Sequence, residues 1–111
     1  MTKTEANLIR RTVYNLWISC LVGNAKKTPH LEKIYEEMTQ PLKKGDYVVE
    51  SSTAYSNRPE GFGQFIEMRK ETVGEGEDQY LDTFWYIKIH TGKVYRWYNA
   101  NFLRVPDSVI R

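Results

Sequence analysis

Along the first forty residues apolar side chains recur every three to four positions. From Tyr47 onward the spacing becomes two. The first pattern is that of helices with one buried stripe and the second that of strands with one buried face. Ala6, Ile9, Val13, Leu16, Trp17 and Cys20 form one stripe, which predicts a helix over residues 4–22 that stops at Gly23. Thr2 and Glu5 have the spacing of a capping box, with Thr4 a competing cap. Tyr14, Ile18 and Leu21 make a second apolar strip beside Arg10. The apolar arc of this helix is therefore wider than the roughly 100° that one buried face needs. Either two elements cover it or part of it meets another molecule. Thr28-Pro29 opens a second helix, with Leu31, Ile34, Tyr35 and Met38 on one face and Pro41 after its end. The two helices read as an αα-hairpin.

Gly45-Asp46 turns the chain into the strand Tyr47-Val48-Val49-Glu50. A polar loop over residues 51–60 carries Tyr55, Asn57 and Arg58 at its tip. The next strand, Gly61 to Met68, has glycines that suggest a bulge, a bend or a close approach of two backbones. A Gly/Glu loop at residues 72–78 follows. The stretch YLDTFWYIKIHTGKVYRWYNANFLRV, Tyr80 to Val105, then holds most of the aromatic residues and organises the rest of the chain. A two-residue Thr91-Gly92 turn would pair Ile87 with Arg96 and put a guanidinium on the face of Trp85. A three-residue turn, His90-Thr91-Gly92 with Gly92 left-handed, pairs Ile87 with Tyr95 and Trp85 with Trp97. The second register gathers Trp85, Ile87, Ile89, Tyr95 and Trp97 on one face. It leaves Phe84, Tyr86, Lys88, Val94, Arg96 and Tyr98 on the other, and we adopt it. Tyr86, Arg96 and Tyr98 are the residue types that dominate binding hot spots. They face either a partner or the first helix.

The order Gly45-Asp46-Tyr47-Val48-Val49, long loop, Gly61-Phe62-Gly63-Gln64-Phe65-Ile66-Glu67, variable loop, tight hairpin at Thr91-Gly92, short turn Asn99-Ala100-Asn101-Phe102 and last strand Leu103-Arg104-Val105 resembles an SH3-like small barrel of the Tudor/KOW kind. The resemblance covers residues 42–106. The expected fold is α+β: a helical hairpin over residues 1–41 followed by a five-stranded antiparallel SH3-like barrel over 42–111, in one domain. In such barrels ligands bind the rim between the loops. By position that rim holds Tyr55, Asn57, Arg58, Asn99, Asn101 and Phe102, with Tyr98 at its edge. Tyr55, Tyr98 and Phe102 are the candidates for an aromatic cage around a cation.

Charge and chemistry narrow the function. Of 111 residues, 16 are Lys or Arg and 14 Asp or Glu, a net charge of +2 that does not force polyanion binding. The helical part, residues 1–45, carries +4 and the remainder −2. Arg10, Arg11, Lys26, Lys27, Lys43 and Lys44 are thus the candidate nucleic-acid contacts, while the β part is acidic. One cysteine, Cys20, on the apolar stripe, rules out an intrachain disulfide and suits a reducing compartment, the cytoplasm. No stretch approaches the ~18 apolar residues of a membrane span. His30 and His90 lie in different elements without a cysteine partner, so no metal site is expected. The acidic residues Glu75, Glu77, Asp78 and Asp82 lack the order of a calcium loop. Gly61-Phe62-Gly63 lacks the remaining residues of a phosphate loop. The expectation is a non-enzyme without cofactor: a small regulatory or inhibitory module that binds a protein. The alternatives are a nucleic-acid-binding accessory protein and, for the wide apolar arc, a homodimer through the first helix.

Overall fold

A computed structural model describes residues 1–22, 28–51 and 61–110. Among these residues the fold is α+β: three α-helices and a five-stranded antiparallel sheet that does not close. Helix α1 spans Lys3–Val22 and α2 Pro29–Met38. The strands are β1 (Tyr47–Glu50), β2 (Phe62–Val73), β3 (Tyr80–Lys88), β4 (Val94–Tyr98) and β5 (Phe102–Arg104), and a short helix α3 (Asp107–Ile110) ends the described chain. The strand order is β4-β3-β2-β1-β5.

The local signals act as the residue types require. Thr2 and Glu5 form the capping box. The Glu5 N–H donates to Thr2 Oγ1 at 3.1 Å, and the Thr2 N–H and hydroxyl donate back to Glu5 Oε1 at 3.3 and 3.0 Å. Thr28 caps α2 by accepting from the Leu31 N–H at 3.2 Å, and Pro29 fills the first helical position, where its missing N–H costs nothing. The β3–β4 turn closes with three residues. Ile89 N–H donates to the Lys93 carbonyl and Gly92 N–H to the Ile89 carbonyl, both at 2.9 Å, with Gly92 at φ 89°. Trp85 therefore stands opposite Trp97, and Ile87 opposite Tyr95, as the segregation of apolar residues required.

Two clusters form on opposite faces of the sheet. On the outer face Val49, Phe62 and Val105 pack against Ala6, Val13 and Cys20 of α1 and Ile34 and Met38 of α2. Trp17 and Tyr35 stack across the two helices with centroids 5.8 Å apart. The expected α1 stripe is thus the buried one, and only part of the second strip is covered: Tyr14 packs inward, but Ile18 and Leu21 stay exposed. On the inner face Val48, Phe65, Ile87 and Phe102 pack with Trp85 and Trp97. The sheet curls until its two edge strands meet through rings. Trp97 on β4 lies 5.8 Å from Phe102 on β5, and Trp85 lies 5.6 Å from it, although no backbone pairing joins β4 to β5.

Two features of β2 allow the curl. Register slips at Ile66, between Phe65 opposite Ile87 and Glu67 opposite Tyr86, which is a bulge that bends the strand. The bulge thus falls at Ile66 and not at the glycines. Gly63 serves instead for close approach. A Cβ there would sit 2.8 Å from Ile87 Cγ2 and against the Lys88 carbonyl oxygen, where β2 crosses β3. We predict that Gly63→Ala destabilises the protein by about 1–3 kcal/mol, the usual cost of forcing a methyl into packed backbone, measured by urea denaturation. A second prediction concerns α1. The hydrogen bond from the Thr2 hydroxyl, followed by that from the Thr2 backbone, holds the Glu5 carboxyl below its ordinary value. A lowered pKa favours the fold above the ordinary carboxylate range, and the contribution fades as pH falls through the folded value. Thr2→Ala is expected to raise the Glu5 pKa toward normal in an NMR titration.

Candidate protein-docking face

Alternation along β3 and β4 sends Phe84, Tyr86, Arg96 and Tyr98 to the outer face, which the helices also use. The helices stop short of them. α1 and α2 together pack over the β1, β2 and β5 end, and none of these four residues joins their cluster. Tyr98 is 64 % exposed and Arg96 is exposed, so the open half of the outer face is surface.

Glu71 organises this surface. Its Oε2 accepts from Arg96 Nη1 at 3.2 Å, and its Oε1 accepts from the Tyr86 hydroxyl. One carboxylate thereby fixes two residues from two neighbouring strands. The Arg96 guanidinium lies 4.7 Å from the centre of the Phe84 ring, and Tyr98 closes the other side with centroids 6.0 Å apart. Phe84 is 5 % exposed as a result, buried by a cation and a phenol ring instead of by a helix. Arg69 repeats the motif, 4.6 Å over Tyr86, and pairs with Glu67. Beside this network a groove of about 280 Å³ is lined by Val73, Tyr80, Asp82, Phe84, Arg96 and Tyr98. A prefixed guanidinium, exposed phenol rings and a shallow apolar floor suit a protein surface.

The rim residues part company. Asn99 and Asn101 are exposed where the chain leaves β4. Asn99 adopts φ 52°, a left-handed conformation that asparagine tolerates. Asn101 is clamped: its N–H donates to Glu50 Oε1 at 3.2 Å and its carbonyl accepts from the Ser51 N–H at 3.0 Å. Phe102, expected on the rim, is 5 % exposed and belongs to the inner core, because the curl of the sheet draws β5 under Trp85 and Trp97. Tyr55, Asn57 and Arg58 lie outside the described residues.

The basic set is also divided. Arg10 is 1 % exposed, with Nη2 donating to Asn7 Oδ1 at 3.2 Å, and so is not a surface cation. Its position four residues after Ala6 and three before Val13 puts it on the buried stripe, which is the signal that places it. Arg11, Lys43 and Lys44 are exposed, and Lys26 and Lys27 lie outside the described residues. Leu8, Ile18 and Leu21 are exposed on α1. Cys20 is buried, its Sγ 3.7 Å from the Leu31 carbonyl oxygen. Among the described residues no three of His, Cys, Asp and Glu gather to hold a metal ion, and no helix is long and apolar enough to cross a membrane.

In comparisons with known proteins, no family model, no curated protein and no solved structure matches this chain.

Exposure separates the two bonds that Glu71 makes. The Tyr86 hydroxyl bond is partly buried, whereas Arg96 is 58 % exposed and its ion pair is screened. Double-mutant cycles read by chemical denaturation are expected to give a coupling of about 1–2 kcal/mol between Tyr86→Phe and Glu71→Ala. The coupling between Arg96→Ala and Glu71→Ala should stay below about 1 kcal/mol.

Proposed function

We propose that this chain is a non-enzymatic binding module that docks on a protein partner through the open half of its outer sheet face. The observation that carries this reading is the Tyr86–Glu71–Arg96 network with Tyr98 beside it. The network seals Phe84, and in doing so it leaves a guanidinium and a phenol ring held in place on an exposed surface. Ordering these side chains before binding lowers the entropy that association must overcome. We read the scaffold as a helical hairpin leading into an SH3-like small barrel. The strand order β4-β3-β2-β1-β5, the three-residue β3–β4 turn and the ring contact of Trp97 with Phe102 support that architecture. A small regulator or inhibitor acting in the cytoplasm is the role that suits it, and the single buried thiol is compatible with that compartment.

Nucleic-acid binding is the weaker reading. Burial of Arg10 leaves Arg11, Lys43 and Lys44 as its exposed described contacts, and the candidate face carries Glu67, Glu71 and Asp82 among its cations.

The deciding experiment is capture of partners from the native host in the presence of nuclease. A protein retained by the wild type is expected to bind at least about tenfold more weakly to Tyr98→Ala and to Arg96→Ala, a loss of about 1.4 kcal/mol each. Capture indifferent to both substitutions would overturn the reading. So would tight DNA or RNA binding that weakens steeply with salt.

A further inference from the structure

Strand β3 is longer than its neighbour. β4 pairs with it from Phe84 to Lys88 only, so Tyr80 to Thr83 have β2 on one side and, among the described residues, no strand on the other. The chain could have continued β4 along this edge, but at Asn99 it turns away with φ 52°. A notch remains. The direction of its backbone groups follows from the turn: Ile89 exchanges hydrogen bonds with the β4 side, and alternation sends the N–H and C=O of Thr83 and Leu81 the same way. The Thr83 N–H is held at 2.8 Å by the Oδ1 of its own neighbour Asp82. Leu81 is 67 % exposed.

Each face of the notch has its own groove. The outer groove is the one beside Phe84, Arg96 and Tyr98. The inner one, about 540 Å³, is bounded by Glu50, Asp82, Met68, Trp85 and the Asn99–Asn101 turn. Successive side chains of an added strand point to opposite faces, so one set would enter each groove. The outer groove offers Val73, Tyr80 and Tyr98 to apolar side chains. The inner one offers the Trp85 ring and the exposed Met68 to a long side chain with an aliphatic stem, and the Asp82 carboxylate at its edge to a cation, while Glu50 beneath it is buried and bonded to Asn101. From Glu67 to Ile87 the chain carries six acidic residues against Arg69 and Lys70, so the β2–β3 hairpin is net negative even with Arg96 beside its outer groove. A second copy of this chain would set two such hairpins against each other.

Resting on the protein-docking reading, we infer that the Tyr80–Thr83 edge accepts an extended segment of the partner. That segment adds to the sheet in line with β4 and alternates apolar and Lys or Arg residues. Asp82 holds the Thr83 N–H until the incoming carbonyl replaces it.

The test is titration of the full chain with a blocked octapeptide of alternating valine and lysine, followed by NMR. Saturable binding with Kd below about 1 mM is expected, with the Leu81 and Thr83 amides shifting and exchanging more slowly. An alternating valine–glutamate octapeptide, and the valine–lysine peptide N-methylated at its four central residues, should each bind at least tenfold more weakly. Asp82→Asn keeps an acceptor for Thr83 but removes the charge, and should weaken valine–lysine binding several-fold. Absence of saturable binding, equal binding of the N-methylated peptide, or shifts confined to other elements would overturn the inference. If the peptide fails while host-partner capture still depends on Tyr98, strand addition falls and the docking face stands. If the peptide binds at the notch while capture ignores Tyr98, the docking face falls instead.

Discussion

Gly92 at φ 89° lets the β3–β4 loop close with three residues and sets Trp85 opposite Trp97. With a two-residue loop the same strands would pair Ile87 with Arg96, and every side chain of β4 would change face. The guanidinium would then enter the inner core, and Trp97 would leave Phe102. The register therefore decides both halves of the molecule. Inside, Trp85, Trp97 and Phe102 hold edge strands together that share no hydrogen bond. Outside, it delivers Arg96 to Phe84 and Glu71.

The outer face shows how a small chain covers a sheet with too few helices. α1 and α2 bury the β1, β2 and β5 end with aliphatic side chains. Among the described residues no helix covers the β3–β4 end, and its central ring, Phe84, is sealed by Arg96 and Tyr98. Sealing with amphipathic side chains leaves the surface wet, charged and already shaped. The docking face proposed above is this open part of the sheet, where the side chains are ordered before any partner arrives.

Much of this was legible in the residues. The α1 stripe, the Thr2–Glu5 and Thr28 caps and the β3–β4 register all follow from local spacing and turn chemistry. What escaped depends on tertiary length and curvature. Arg69 to Val73 lack apolar alternation, yet they extend β2, because β3 supplies the pairing and cross-strand contacts supply the rest. Glu71 could not be recognised as the centre of the network without that extension. Phe102 occupied a rim position by family resemblance, but the curl that brings β4 near β5 buries it. Arg10 looked like one of a set of cations, although its phase on the helix already placed it with Ala6 and Val13.

Unpaired strand edges invite unwanted association, and proteins blunt them with charge or with local hydrogen bonds. The Tyr80–Thr83 edge has both. Asp82 occupies the Thr83 N–H, and the acidic hairpin repels any equally acidic strand, including that of a second copy. Those two devices are selective. A segment bearing Lys or Arg is drawn by the charge that repels a copy, and it can offer Asp82 a cation while its own backbone takes over Thr83. In the proposed strand addition the guarding carboxylate is also the recognition element: it disfavours pairing with an equally acidic edge and favours a segment of opposite charge.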